Sequence, residues 1–192
     1  MKNFIILIIL FLAPRSINGQ NDYDCIKKDD FYILKTDSVE NGVIRIKTSA
    51  LNNPAQAELT YGADYSSKKY NDLLFDKDFN RIVYPAGLEL LFSEKNNYLF
   101  TFEVISNNYT MVLTNGSRIK IGMSGKDLAE IFPKSYACRK EYTPDPKSGK
   151  FAFIVFFCIN RNGKTIYFDT WITFILSAKD GVLEQVYSFV PG

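Results

Sequence analysis

Four dipeptides constrain this chain more tightly than anything else in it. Asn41-Gly42, Asn115-Gly116, Asn162-Gly163 and Asp180-Gly181 each stand between stretches of apolar patterning. Asn-Gly and Asp-Gly readily adopt the positive φ angles of a type I′ turn, and that turn has the twist that two antiparallel strands need. The spacing predicts hairpins joining 111–113 to 119–121, 151–159 to 165–176, and 165–176 to 182–190. A chain built this way folds as an antiparallel meander.

One helix interrupts the meander. Ser124 is a good N-cap, and Asp127 stands at the capping-box position three residues on. Leu128, Ile131 and Phe132 share a face, and Pro133 stops the run. A second, weaker helix is expected over 66–74, with Tyr70, Leu73 and Leu74 as its apolar side. Residues 140–150, with Pro144, Pro146 and Gly149, read as a surface loop. The expected fold is α+β: a twisted antiparallel sheet, built as a meander of hairpins, with one or two short helices packed on one face. The hairpins at 88–105 and 172–189 resemble each other, Ser93, Lys95 and Leu99 matching Ser177, Lys179 and Leu183. This is a weak signal of internal duplication, 57–114 and 118–190, and hairpins of similar length share such features without it.

Residues 1–19 read as a cleavable signal peptide. Lys2 supplies the positive start, Phe4 to Leu12 is apolar without a break, and Gly19 is the small residue before the cut. The other reading, a buried N-terminal strand, fits that order of charge and polarity less well. The apolar stretch is too short to span a bilayer, and no longer one follows. Asn21-Asp22-Tyr23-Asp24 precedes Cys25 in place of a lipoprotein signal. The expectation is a single exported domain, 20–192, secreted or periplasmic and without a membrane span.

Charge and cysteines narrow the partners. Removing residues 1–19 takes Lys2 and Arg15 from the 23 basic residues and none of the 21 acids, so the mature chain carries no net charge. Proteins that grip nucleic acid through phosphates carry a basic excess, so nucleic acid is not an expected partner. Three cysteines in an exported chain imply one disulfide and one odd thiol. Cys138 follows the predicted helix and Cys158 ends a predicted strand, which favours that pair, with Cys25 spare and the two other pairings open. Asn108-Tyr109-Thr110 and Asn115-Gly116-Ser117 fit the N-glycosylation pattern, which matters only in a host that glycosylates there.

The stretch Ile119-Lys120-Ile121-Gly122-Met123-Ser124, followed by Leu128, Ile131, Phe132 and Pro133, resembles the strand–Gly–x–Ser–helix entry of small exported modules. The outer-membrane-assembly lipoprotein BamE and the β-lactamase inhibitory protein are examples. The likeness covers about 118–190 and implies a short helical segment on an antiparallel sheet that contacts another protein. The lipobox of BamE-like proteins is missing, and only one of the inhibitory protein's two repeats is clear.

Catalytic chemistry finds little support. The chain has no histidine, which removes the usual Ser-His and Cys-His nucleophile systems and the common zinc sites. Gly122-Met123-Ser124-Gly125-Lys126 lacks the spacing of a phosphate-binding loop. No Asp-rich loop has calcium-ligand spacing. Paired carboxylates remain, with Glu89, Glu103 and Asp169 in predicted strands, although Glu89 and Glu103 alternate with apolar neighbours and read first as solvent-facing.

A more distinctive feature is the strand at 165–176. Ile166, Phe168, Thr170, Ile172, Phe174 and Leu176 alternate onto one face, the expected core side. Tyr167, Asp169, Trp171 and Thr173 form the other face, an aromatic-polar row suited to protein or glycan recognition. The bland alternative is that these rings pack beneath another part of the chain. The sequence therefore predicts an exported, non-catalytic binding module without metal or cofactor. Its partner would be another exported or envelope protein, with Tyr167, Asp169, Trp171 and Thr173 as the candidate surface. The alternatives are a carboxylate-dependent enzyme or binder acting on glycans or envelope polymers, and a structural envelope protein. Oligomeric state is left open.

Overall fold

The computed structural model describes residues 22–27, 30–36, 48, 51, 53–72, 77–142 and 146–189. Asn41-Gly42, the predicted signal peptide, Leu73 and Leu74 lie outside these residues. The strands are β1 (Cys25–Lys27), β2 (Phe31–Lys35), β3 (Ser66–Asp72), β4 (Lys77–Tyr84), β5 (Leu88–Ser93) and β6 (Leu99–Val104). They continue with β7 (Tyr109–Leu113), β8 (Arg118–Lys120), β9 (Lys140–Glu141), β10 (Phe151–Arg161), β11 (Lys164–Leu176) and β12 (Leu183–Phe189). The helices are α1 (Pro54–Tyr61), α2 (Gly125–Ile131) and α3 (Pro133–Ala137).

The α+β class is as expected, and Asn115-Gly116, Asn162-Gly163 and Asp180-Gly181 stand between β7 and β8, β10 and β11, and β11 and β12 as predicted, while the β4–β5 and β5–β6 hairpins turn without such a pair. Asn162 has φ 53° and Gly163 φ 74°, the two positive angles that a type I′ turn requires. The large sheet runs β3-β4-β5-β6-β12-β11-β10-β1, and β9 prolongs the β1 edge along β10. All its pairs are antiparallel except β1 with β10, which is parallel. Two meanders thus meet at a central seam, where Val104 faces Val186 and Glu103 faces Tyr187. The two hairpins that match in sequence also close alike. Ser93 N–H donates to the Tyr98 carbonyl at 3.1 Å, and Ser177 N–H to the Val182 carbonyl at 2.8 Å.

A second layer covers one face of this sheet and is made from the helices and a three-stranded sheet, β2-β7-β8. Phenylalanines join the layers. Phe31 of β2 stacks on Phe157 at 5.8 Å, and Phe132 after α2 leans on Phe174 at 5.3 Å. Phe153 and Phe174 lie 4.8 Å apart and nearly parallel. Each fully buried ring of this kind contributes about 1.5–3 kcal/mol of apolar burial. The Tyr61 hydroxyl, wholly inside, donates to the Ile33 carbonyl at 3.0 Å, so α1 is pinned to β2 by a satisfied buried polar group.

Two expectations about helices change. Residues 66–72 form strand β3, not a helix, and pair with β4 from Ser66↔Val83 to Asp72↔Lys77. Pairing along a neighbouring edge outweighs a short helical pattern whose remaining residues are polar. A helix stands earlier, at α1, where Asn53 accepts from the Gln56 N–H and Pro54 opens the first turn. Ser124 caps α2 as expected, and Pro133 both ends it and opens α3. Gly125 has a packing reason: a Cβ there would collide with the Tyr136 hydroxyl and stand 3.0 Å from the Gly181 carbonyl.

Candidate functional site

The predicted recognition row does not lie open. Trp171 and Thr173 retain only 6% and 1% of their surface, Tyr167 is half-buried, and Asp169 is exposed. Trp171 meets Phe156 edge-on at 6.1 Å, and the same ring receives Tyr23 at 5.4 Å and Tyr167 at 6.2 Å. With Ile154 these side chains form a separate small core on the far face of the sheet. The bland alternative for Trp171 and Thr173 is the observed one. Strand β10 is buried without a break from 152 to 158, which requires cover on both faces. Tyr23 takes its place because Asp24 and Ser135 bond reciprocally, the Asp24 N–H to Ser135 Oγ and the Ser135 N–H to Asp24 Oδ2, each at 2.9 Å.

The disulfide also differs from the favoured pairing. Cys158 bonds to Cys25, and Cys138 is free and half-buried, its thiol directed at the Asp22 carbonyl. The parallel pairing of β1 with β10 sets Cys25 beside Phe156 and so within reach of Cys158, across 133 positions of sequence.

What the structure leaves open is the outer half of the β10–β11 hairpin. Strand β1 pairs with β10 only as far as Cys158, and β12 pairs with β11 only from Trp171 inward. Beyond those points, among the described residues, the two strands pair only with each other, as an arm, through Ile159↔Ile166, Asn160↔Thr165 and Arg161↔Lys164 to the turn. Residues directly opposite in an antiparallel pair share a face. One face of the arm therefore carries Ile159, Ile166 and, next along β11, Phe168, with Arg161 and Lys164 at the tip. The other carries Thr165 bonded to Asn160 at 3.2 Å, then Tyr167 and the disulfide. Ile159, Ile166 and Phe168 are 39%, 43% and 37% exposed. Ile166, Phe168 and Thr170 were expected in the core with Ile172, Phe174 and Leu176; burial of that row begins only inward of Trp171.

A second arrangement lies mid-sheet. Glu89 and Glu103 are direct partners across β5 and β6. Arg81 forks onto Glu89, Nε to Oε1 and Nη2 to Oε2, both at 2.6 Å. Glu103 alternates as expected with the buried Phe102 and Val104, but it is only partly exposed and accepts from the Gln185 side chain. Burial, and then the neighbouring Glu89 charge, hold its carboxyl above the usual range, against the pull of Gln185 and Arg81. One carboxylate is thus ion-paired and the other biased towards its neutral form, the asymmetry that acid–base pairs use.

Among the described residues no group of three His, Cys, Asp or Glu could hold a metal ion, and no helix is long and apolar enough to cross a membrane. Asn115 is exposed at its hairpin turn, while the Asn108 amide donates to the Ala86 carbonyl at 3.3 Å. No protein-family model, curated protein or solved structure matches the chain.

Proposed function

We propose that this chain is an exported, non-catalytic binding module that acts through protein–protein contact, as an inhibitor, immunity-like factor or envelope adaptor, and that the β10–β11 arm makes the contact. One observation carries the reading: Ile159, Ile166 and Phe168 lie side by side, each more than a third exposed, on a hairpin that among the described residues extends beyond the pairing of β1 and β12. Grouped exposed apolar side chains with a charged border are the usual mark of an interaction site, whereas single exposed ones are ordinary. Leu59 and Ile105, although more exposed, stand on separate elements. The leader-like residues 1–19 and the Cys25–Cys158 disulfide are compatible with export to an oxidising compartment.

The test is affinity capture of the tagged full chain from its native host after cross-linking, beside an I166S/F168S variant checked for folding. One dominant stoichiometric partner, lost in the variant, supports the reading. Folded protein with no partner removes it.

The Glu89/Glu103 pair favours a second reading, a carboxylate-dependent enzyme acting on glycans or envelope polymers. Hydrolysis of such polymers that disappears in Glu103→Gln would establish it; no hydrolysis by the folded wild type would dismiss it.

A further inference from the structure

Resting on the protein-contact reading above, we infer that the partner of the arm is a protein segment in extended conformation that adds alongside β11. It presents apolar side chains to Ile166 and Phe168 and carboxylates to Arg161 and Lys164.

Three observations carry this. The first is the backbone. Among the described residues β11 outward of Trp171 pairs with β10 alone, and an extended segment adds to a sheet through the backbone donors and acceptors of such an edge. The opposite edge of the same sheet, β3, is guarded by exposed Lys68 and Lys69, a usual protection against strand addition. The β11 edge instead presents Ile166 and Phe168 between Lys164 and Asp169.

The second is charge. Arg161 and Lys164 face each other directly at the tip, and neither has an acidic partner among the described residues. No acid occurs between Ile159 and Phe168. Like charges directly opposite in a sheet are unfavourable, and a carboxylate lodged between them reverses the sign.

The third is the order along the arm, which favours protein over lipid. The apolar side chains sit inward of the two cations, so an arm entering a bilayer tip-first would carry its charges deepest. A bilayer interior also leaves an unpaired strand edge unsatisfied.

The experiment places the photo-cross-linker p-benzoylphenylalanine at Phe168, and at Ile105 as a control, in the full chain expressed in its native host. Carbodiimide coupling of Lys164 to neighbouring carboxylates is run in parallel, and adduct peptides are mapped by mass spectrometry. The expected result is one protein cross-linked from position 168 and not from 105. Lys164 should couple to an Asp or Glu within a few residues of that same site. R161E/K164E, shown to be folded by circular dichroism, should lower the yield at least tenfold. Adducts to lipid, to a second copy of this chain, or to a segment without acids, or a yield that R161E/K164E leaves unchanged, would overturn the inference. A partner captured with no adduct from Phe168 also overturns it while leaving the protein-contact reading in place. Absence of any partner removes both.

Discussion

Cys25 and Cys158 are disulfide-bonded with their Cα atoms 5.8 Å apart, and the bond fastens the short parallel strand β1 to the root of the arm. It closes a loop of 133 residues, and in the chain-entropy picture a loop of that size gives up much of the unfolded chain's freedom. Cys25→Ser should lower the unfolding free energy by about 2–5 kcal/mol. Cys138→Ser should leave it within about 0.5 kcal/mol of wild type. Denaturant titration without reductant measures both, and peptide mapping should recover Cys25 joined to Cys158.

Phe168 and Phe174 occupy the same face of β11, yet the first is 37% exposed and the second fully buried. Phe174→Ala removes a ring stacked on Phe153 and should cost about 3–5 kcal/mol. Phe168→Ala should change stability by less than about 1 kcal/mol, because its ring already stands partly in water. Equal losses in thermal melts would contradict the arm as described.

Glu103 gives a pH signature. Burial first, then the Glu89 charge, raises its folded-state pKa above the unfolded value. The native state therefore holds more protons than the unfolded state between those two values, and stability falls as pH rises through that interval. Glu103→Gln should be more stable than wild type at neutral pH, with the gain vanishing below the ordinary carboxylate range. Chemical denaturation at stepped pH values from neutral to acid is the check; parallel curves for the two proteins would refute it.

Gly125 is closed in by the Tyr136 hydroxyl and the Gly181 carbonyl. Gly125→Ala should cost about 1–3 kcal/mol through overpacking. Adding millimolar inorganic phosphate to wild type should leave the melting temperature where it was, since the glycine serves packing and not an anion. A phosphate-dependent rise would reverse that assignment.

The hairpins were legible because turn chemistry is local: Asn162 and Gly163 alone specify the turn that ends the arm. Helix α2 was legible from Ser124 and Pro133 for the same reason. The helix at α1 carried an equally local signal, Asn53 before Pro54, that apolar periodicity does not reveal. The arm was not legible. The alternation from Ile166 to Leu176 is continuous, and nothing in it marks where β12 and the covering layer stop, which is a property of other segments. The same holds for the small core around Trp171, which Tyr23 completes from a distant part of the chain, and for the disulfide, which depends on a parallel pairing over long sequence separation.

The seam between β6 and β12 gives the molecule a timetable. Glu103 and Gln185, neighbours there, are 82 positions apart, while each meander on either side is built from hairpins that close over short loops. Short loops close in well under a millisecond, and distant pairings wait for the ends to find each other. The two meanders should therefore be assembled before they meet. In that interval β6 is a bare edge carrying Phe102 and Val104. The moment of greatest exposure to aggregation comes just before the seam zips, and substitutions at Val104 or Val186 should slow folding and lower the yield of soluble protein as well as weaken the finished fold.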